Sequence, residues 1–340
     1  MKKKIVLLLA AAIFALACAC SAPKEEGAGG AVMVIDGSEI TREEFNYYLA
    51  YEKDRLEAES WLTPDELWSG TIEGYPAQAY AKNQTVEKLL GTYAMLHLAA
   101  QNDIRLSDED MLQLREEKEN VIATMGRDRF EQSLKETGIT EETYDEIMER
   151  SIVYARVYEH LYGENGMYAP GREEVERFYF DYYLRGMEIM LPFFDAATGE
   201  MMDGGKLEEL REYAAELSGR ARDGEDFLTL LAQAAGLSRN IQADADETFR
   251  PEWSGKDQAV IDAYYSTGVG DVSDVIETEY AFFIIKRLET DAVFLDEFYD
   301  AVFVEYANGL FDAAVTGVAG GLKVEYKDGY DDIMVYDPKG

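Results

Sequence analysis

Val32-Met33-Val34-Ile35-Asp36-Gly37-Ser38-Glu39-Ile40-Thr41-Arg42-Glu43-Glu44-Phe45 is the stretch on which the fold turns. Val32 to Ile35 is a short apolar run that ends in an Asp-Gly turn, the chemistry of a strand end. Thr41-Arg42-Glu43-Glu44 then fits a capping box, and Phe45, Tyr48 and Leu49 supply the apolar face of the helix it would start. A strand, a turn and a capped helix follow one another without a linker.

Downstream, helix follows helix. Pro64, Gly70, Gly74 and Pro76 break a looser segment, after which apolar spacing predicts a helix from about Ala79 to Gln101. Ser107-Asp108-Glu109-Asp110 starts another, and Thr140-Glu141-Glu142-Thr143 a further one bearing Tyr144, Ile147, Met148 and Ile152. No alternating strand pattern is read between residues 38 and 162. Past Pro170-Gly171 one more helix runs from Arg172 to Tyr183, and then the character changes. Gly186 to Leu191 reads as a strand, Leu207–Arg222 and Glu225–Ala235 as acidic helices, and Asp257–Tyr265 as a short helix. Val272–Ile276 and Ala281–Lys286 read as strands. A last helix from about Phe294 to Val315 leads through Gly320-Gly321 to a strand at Leu322–Tyr326. The expected class is α+β: a mainly helical body, a small α+β insert and a helical return.

Upstream lies an export signal. Lys2, Lys3 and Lys4 precede an apolar run, Ile5 to Ala17, of about 13 residues, short of the roughly 20 that span a bilayer. Ala15-Leu16-Ala17-Cys18 reads as a lipobox in which the thiol is acylated before cleavage. An ordinary signal with an incidental cysteine is the alternative, and Cys20 is a second acylation candidate. Ser21 to Gly30 has the composition of a flexible tether. The expected location is the outer face of a bacterial membrane.

Apolar residues make up 47% of the chain, and the formal charge is −36. A surface that acidic argues against nucleic acid and against docking on anionic lipid. Both cysteines belong to the anchor, which leaves the body without a disulfide, a cysteine nucleophile or a thiolate ligand. The two histidines, His97 and His160, share helical faces with Leu90, Tyr93 and Ala94 and with Val153 and Val157, the setting of packed residues. Ser-His-Asp and Cys-His chemistry are excluded, and no metal or cofactor is expected. Asp244-Ala245-Asp246-Glu247 lacks the spacing and glycine of a calcium loop.

Ile35 to Phe45 resembles the opening of SurA-like and PrsA-like foldases, and Ala99 to Asp110 resembles their next helix and its continuation. Pro170 to Tyr179 is similar to the segment that feeds a parvulin-type prolyl isomerase domain. Within it Gly224-Glu225-Asp226-Phe227, Gly270 to Thr278 and Ile284-Ile285-Lys286 resemble a helix start, a turn and the closing strand. The resemblance implies five segments: signal peptide 1–17, anchor and tether 18–30, helical chaperone domain 31–183, parvulin-like domain 184–290, and a helix and tail, 291–340, returning to the chaperone domain.

Parvulins lower a peptide rotation barrier of roughly 18–20 kcal/mol, already softened before proline, without covalent chemistry. Family members use an apolar proline cup beside two histidines and a Cys or Asp. By the resemblance, Glu188 and Phe283 stand at the histidine positions, Asn240 at the Cys/Asp position, and Lys256 and Val260 at the cup. An ionised carboxylate donates no hydrogen bond, and a phenylalanine ring neither donates nor accepts one. A network stripped of such members loses more than single contacts are worth. The expectation is therefore a parvulin fold with no catalytic residue. Tyr47, Tyr48 and Tyr51, with Tyr179, Tyr182 and Tyr183, are either helix-packing aromatics or an amphipathic surface for unfolded exported chains. The reading is a membrane-anchored foldase. An active isomerase with a rearranged site is the runner-up. A solute-binding lipoprotein is disfavoured by the missing strand–helix alternation.

Overall fold

The computed structural model describes residues 30–194, 199–237 and 246–336. The signal segment, Cys18, Cys20 and Asn240 lie outside the described residues. The chain divides into two compact units, Met1–Ala169 with Ala307–Gly340, and Pro170–Tyr306.

The first unit opens on β1 (Ala31–Ile35) and β2 (Ser38–Thr41), antiparallel across Asp36-Gly37. Both turn residues have positive φ, as a tight hairpin demands. β2 was not anticipated, because Ser38-Glu39-Ile40-Thr41 carries only one strongly strand-forming apolar residue. Thr41 caps α1 (Arg42–Glu59) by accepting the Glu44 N–H at 3.1 Å. The other half of the expected capping box is absent. Glu44 instead turns its carboxylate inward, where it is 4% exposed, accepts from Tyr93 Oη at 3.1 Å and pairs with Arg150.

The glycine- and proline-broken segment holds α2 (Pro64–Ser69) and a two-stranded hairpin, β3 (Thr71–Ile72) with β4 (Tyr75–Pro76). α3 (Ala77–Gln101) follows as expected, then α4 (Asp108–Met125), α5 (Arg127–Thr137) and α6 (Glu141–Leu161). Ser107 and Thr140 cap α4 and α6 through their hydroxyls. Gly126, at φ +87°, separates α4 from α5 with a backbone that a side chain would strain. Phe45, Leu49, Leu89 and Ile147 join Met33, Ile35 and Ile40 in one core.

The second unit begins with α7 (Arg172–Tyr182) and β5 (Leu184–Pro192), then α8 (Gly204–Arg222), α9 (Phe227–Leu237) and β6 (Glu247–Phe249). A 3-10 turn, Pro251–Trp253, leads to α10 (Gln258–Ser266), β7 (Ile276–Glu277) and β8 (Ala281–Leu288). The strand expected at 272–276 shrinks to β7, with Val272 adding one bridge to Lys286. The sheet order is β6-β5-β8-β7, antiparallel throughout. Its alternation sorts side chains cleanly. Ile189, Leu191, Phe282 and Ile284 pack with residues of α8 and α9, while Leu184, Phe283 and Ile285 pack with Val260 and Tyr264 of α10.

α11 (Ala292–Ala319) starts in the second unit and ends in the first, where β9 (Val324–Tyr326) pairs antiparallel with β1. The unit borders at 169/170 and 306/307 bracket more chain than residues 184–290. α7 and the early turns of α11 pack together: Phe178 stacks on Tyr306 at 4.7 Å, and Tyr179 Oη donates to Asp291 O at 2.8 Å. The class is α+β and mainly helical, and no described helix is long and apolar enough to cross a membrane.

Two local arrangements yield stability predictions. Asp110, 2% exposed, accepts from Arg156 Nη2 at 2.6 Å and Nε at 3.0 Å, and from the Ser107 N–H and hydroxyl at 2.8 Å each. The Arg156 bonds foremost, with those from Ser107 and against the push of burial, hold its carboxyl down to about 2 from an ordinary 3.8. A depressed folded-state value makes the unfolded chain bind the proton first. The stabilisation is therefore complete above pH ~4 and is lost as pH falls through ~2. Urea midpoints of Asp110→Asn should be lower at neutral pH and fall less steeply between pH 4 and 2 than those of the unaltered protein. At Gly186 a Cβ would meet Tyr264 Cε1 at 2.6 Å and the Lys286 carbonyl oxygen at 2.7 Å. Gly186→Ala should cost about 1–3 kcal/mol in denaturant unfolding. An unchanged midpoint would mean that α10 moves aside freely.

Candidate functional site

The sheet face under α10 gathers most of the positions singled out by the resemblance. Glu188 lies opposite Ile285 in the β5–β8 ladder and Phe283 opposite Met190, so both point to the α10 side. Val260, 1% exposed, and the fully buried Tyr264 cover that face from α10. Asn240 lies outside the described residues, but Glu188, Lys256, Val260 and Phe283 belong to one region of the second unit.

Lys256 reaches that region from the loop before α10. Its ammonium lies 2.9 Å from Glu188 Oε1 and 2.8 Å from Glu247 Oε2, and 4.8 Å above the Phe249 ring. The Glu188 contact is an ion pair without hydrogen-bond alignment, since Oε1 has no directed partner. Only 15% of the Lys256 side chain and 16% of that of Glu188 are exposed. Burial alone would lower the lysine's pKa. The two neighbouring carboxylates, Glu247 foremost, reverse that and leave it above its ordinary value. Burial, then the Glu188 charge, pushes the Tyr264 hydroxyl well above the usual tyrosine range, and Tyr264 Oη has no hydrogen-bond partner among the described residues.

The result is a cation held by two acids and a ring in the region where the family resemblance puts an apolar cup. Phe283, 5% exposed, meets Tyr280 edge-on at 5.8 Å and brings no polar atom. Lys256 Nζ and Tyr264 Oη are the donors beside Glu188. A buried pair of this kind is costly to break from one side, because the partner is left charged and unpaired. Among the described residues no group of three or more His, Cys, Asp or Glu side chains could hold a metal ion.

The six tyrosines fare unequally. Tyr48, Tyr179 and Tyr183 are core residues, 8%, 0% and 8% exposed. They are filled in by neighbours: Tyr183 Oη bonds to Glu305, and Tyr179 stacks on Phe294. Tyr47 is half-buried and meets Tyr48 edge-on at 5.4 Å. These four take the packing alternative in this structure. Tyr51 and Tyr182 remain exposed, Tyr51 beneath the Lys88 ammonium at 3.8 Å.

Sequence reading missed Glu247 and Phe249 as partners of Lys256, and Tyr264 as a neighbour of Glu188. It also missed an aromatic cluster in the same unit, where the Arg250 guanidinium lies 5.1 Å from the Phe178 ring, 5.3 Å from Trp253 and 5.8 Å from Tyr182. Arg250 is fixed there by Glu305 and by Glu252 at 2.6 Å. One signal was available. Between Asp244 and Asp262 two cations, Arg250 and Lys256, stand among six acids, so each was bound to find carboxylate partners.

Comparison with known proteins finds a family match and several relatives. Residues 1–158 match the family described as SurA-like N-terminal domain. The foldase protein PrsA of Caldanaerobacter subterraneus subsp. tengcongensis is 21% identical over 293 residues, spanning 84% of this chain and 82% of the relative. Among solved structures, the PrsA peptidylprolyl isomerase of Bacillus cereus aligns over 86% of this chain and 92% of its own, at 11% identity and a TM-score of 0.36. The PrsA foldase of Lactococcus lactis aligns over 88% and 95%, at 12% identity and a TM-score of 0.30. With its first 158 residues matching that family and a foldase relative aligned along most of its length, the chain is similar to SurA/PrsA-like foldases, and its N-terminal part matches the SurA-like N-terminal domain.

Proposed function

We propose that this protein is a lipid-anchored extracytoplasmic chaperone that holds exported chains while they are unfolded, and that its parvulin-like domain does not isomerise proline. The observation that carries the second half is the Glu188–Lys256–Glu247 set on the sheet face under α10. It fills the region of the expected cup with a paired ammonium, and Phe283 removes the polar atom that a histidine would supply. Both histidines of the chain, His97 and His160, lie in the first unit. The foldase relationship supports binding of client polypeptides and an extracytoplasmic setting. The basic and apolar start of the chain supports anchoring through Cys18.

A rearranged but active isomerase is the second reading, and the two donors Lys256 Nζ and Tyr264 Oη favour it. One paired measurement separates them. The full chain should suppress aggregation of a secreted protein diluted from denaturant, while X-Pro peptides relax from cis to trans at their uncatalysed pace of tens to hundreds of seconds. Acceleration that disappears in Glu188→Ala would establish the rearranged site, and failure to suppress aggregation would remove the chaperone reading.

Anchoring has its own test. Cys18→Ser should release the protein from the membrane fraction or leave its signal uncleaved. Retention with a lipid on Cys20 would transfer the anchor to that residue.

A further inference from the structure

The first unit contains a cleft of about 410 Å³ that none of the preceding chemistry uses. Its apolar lining is Leu96 of α3, Leu106 of the α3–α4 connection, Met111 of α4 and Val153 of α6, all half-buried. Glu146 and Glu149 stand on the same face of α6 as Val153, at helical spacings of seven and four residues. The cleft thus has an apolar bed and a carboxylate edge.

Its electrostatics are settled by where the neighbouring cation points. Arg150 also lines the cleft, but its guanidinium is committed to the buried Glu44 and lies 5.5 Å from the Tyr93 ring. Neither Glu146 nor Glu149 forms an ion pair among the described residues, whereas Glu141 and Asp145 pair with Lys118, and Asp110 and Glu159 with Arg156. Two uncompensated carboxylates at the lip of an apolar cleft repel acidic segments and attract cationic ones. The volume lies within the range of ligand pockets, and Met111 adds a side chain that adapts to more than one shape.

We propose that this cleft binds unfolded client segments in which a large apolar side chain is flanked by lysine or arginine. The apolar group would lie on Leu96, Leu106, Met111 and Val153, and the flanking cation would meet Glu146 and Glu149. This rests on the chaperone reading and names the class of segment which that activity selects. The Arg156–Asp110 pair ties the start of α4, next to Met111, to α6.

The test uses the full chain and two sets of labelled, unstructured peptides with the same leucine or phenylalanine, flanked by lysine in one set and by glutamate in the other. Fluorescence anisotropy at low salt should show the lysine set binding about fivefold tighter or more, the scale of two exposed charge contacts. The preference should vanish at 1 M salt. Glu146→Gln/Glu149→Gln should reduce it to about twofold or less. Glu209→Gln/Glu212→Gln, which removes two exposed carboxylates from α8, should leave it intact and so controls for the overall negative charge. Val153→Asp should weaken both sets. A lysine preference that survives Glu146→Gln/Glu149→Gln, or the absence of binding by either set, overturns the proposal. Aggregation suppression, measured on the same variants, reports separately on the chaperone reading: holding that persists without the preference removes the cleft and leaves the chaperone.

Discussion

Three residue pairs decide the topology. Met33, Val34 and Ile35 of β1 lie opposite Tyr326, Glu325 and Val324 of β9, and the ladder is extended by Asp36 N–H to Lys323 O at 2.8 Å and Lys327 N–H to Val32 O at 2.9 Å. This pairing brings both ends of the described chain to one sheet and makes Pro170–Tyr306 an insertion within the first unit. It also delivers the C-terminal segment to the core, where Ile333 and Val335 are buried beside Phe45 and Leu89. Lys82 clamps that segment by donating to Tyr330 O at 2.8 Å with its ammonium over the Tyr330 ring. The entropic cost of closing so long a loop grows only as the logarithm of its length, about 0.6 kcal/mol per doubling, which tolerates a long insertion between β1 and β9 along the chain.

Each unit contains a low-exposure carboxylate beside a cation, and the two are handled differently. Glu44 is saturated by Tyr93 and Arg150, and burial still raises its pKa against the pull of that guanidinium. Such a group fixes α1, α3 and α6 in one register at little risk of rearrangement. Glu188 is held by a single ammonium at poor alignment, next to a tyrosine hydroxyl without a partner. That is the looser of the two, and the one placed where the resemblance puts chemistry.

Helix starts were legible because they are local. Thr41, Ser107 and Thr140 announce α1, α4 and α6 by side chains that bond three residues ahead. The short strands were not: β2, β3 and β4 owe their pairing to turns with positive φ at Asp36, Gly37, Glu73 and Gly74 rather than to alternation over enough residues to be seen. The positions of Glu188, Lys256 and Phe283 followed from resemblance, but their mutual arrangement could not, since the ion pair joins residues 68 apart along the chain. The tyrosines misled for a related reason. An aromatic with one polar atom satisfies both a wet surface and a core that offers an acceptor, and only the fold reveals Asp291 O and Glu305 behind Tyr179 and Tyr183.

The β1–β9 ladder has a temporal side as well. During synthesis at roughly 5–20 residues per second, Ile35 waits on the order of 15–60 s before Val324 exists to pair with it. Pro170–Tyr306 contains all of its own strands, so it is complete while the surrounding unit still lacks its third strand, the end of α11 and the Ile333–Val335 plug. Throughout that interval Phe45, Leu49 and Leu89 have an unfinished roof. The nascent protein thus passes through a partly folded stage in which one unit is closed and the core of the other is still open.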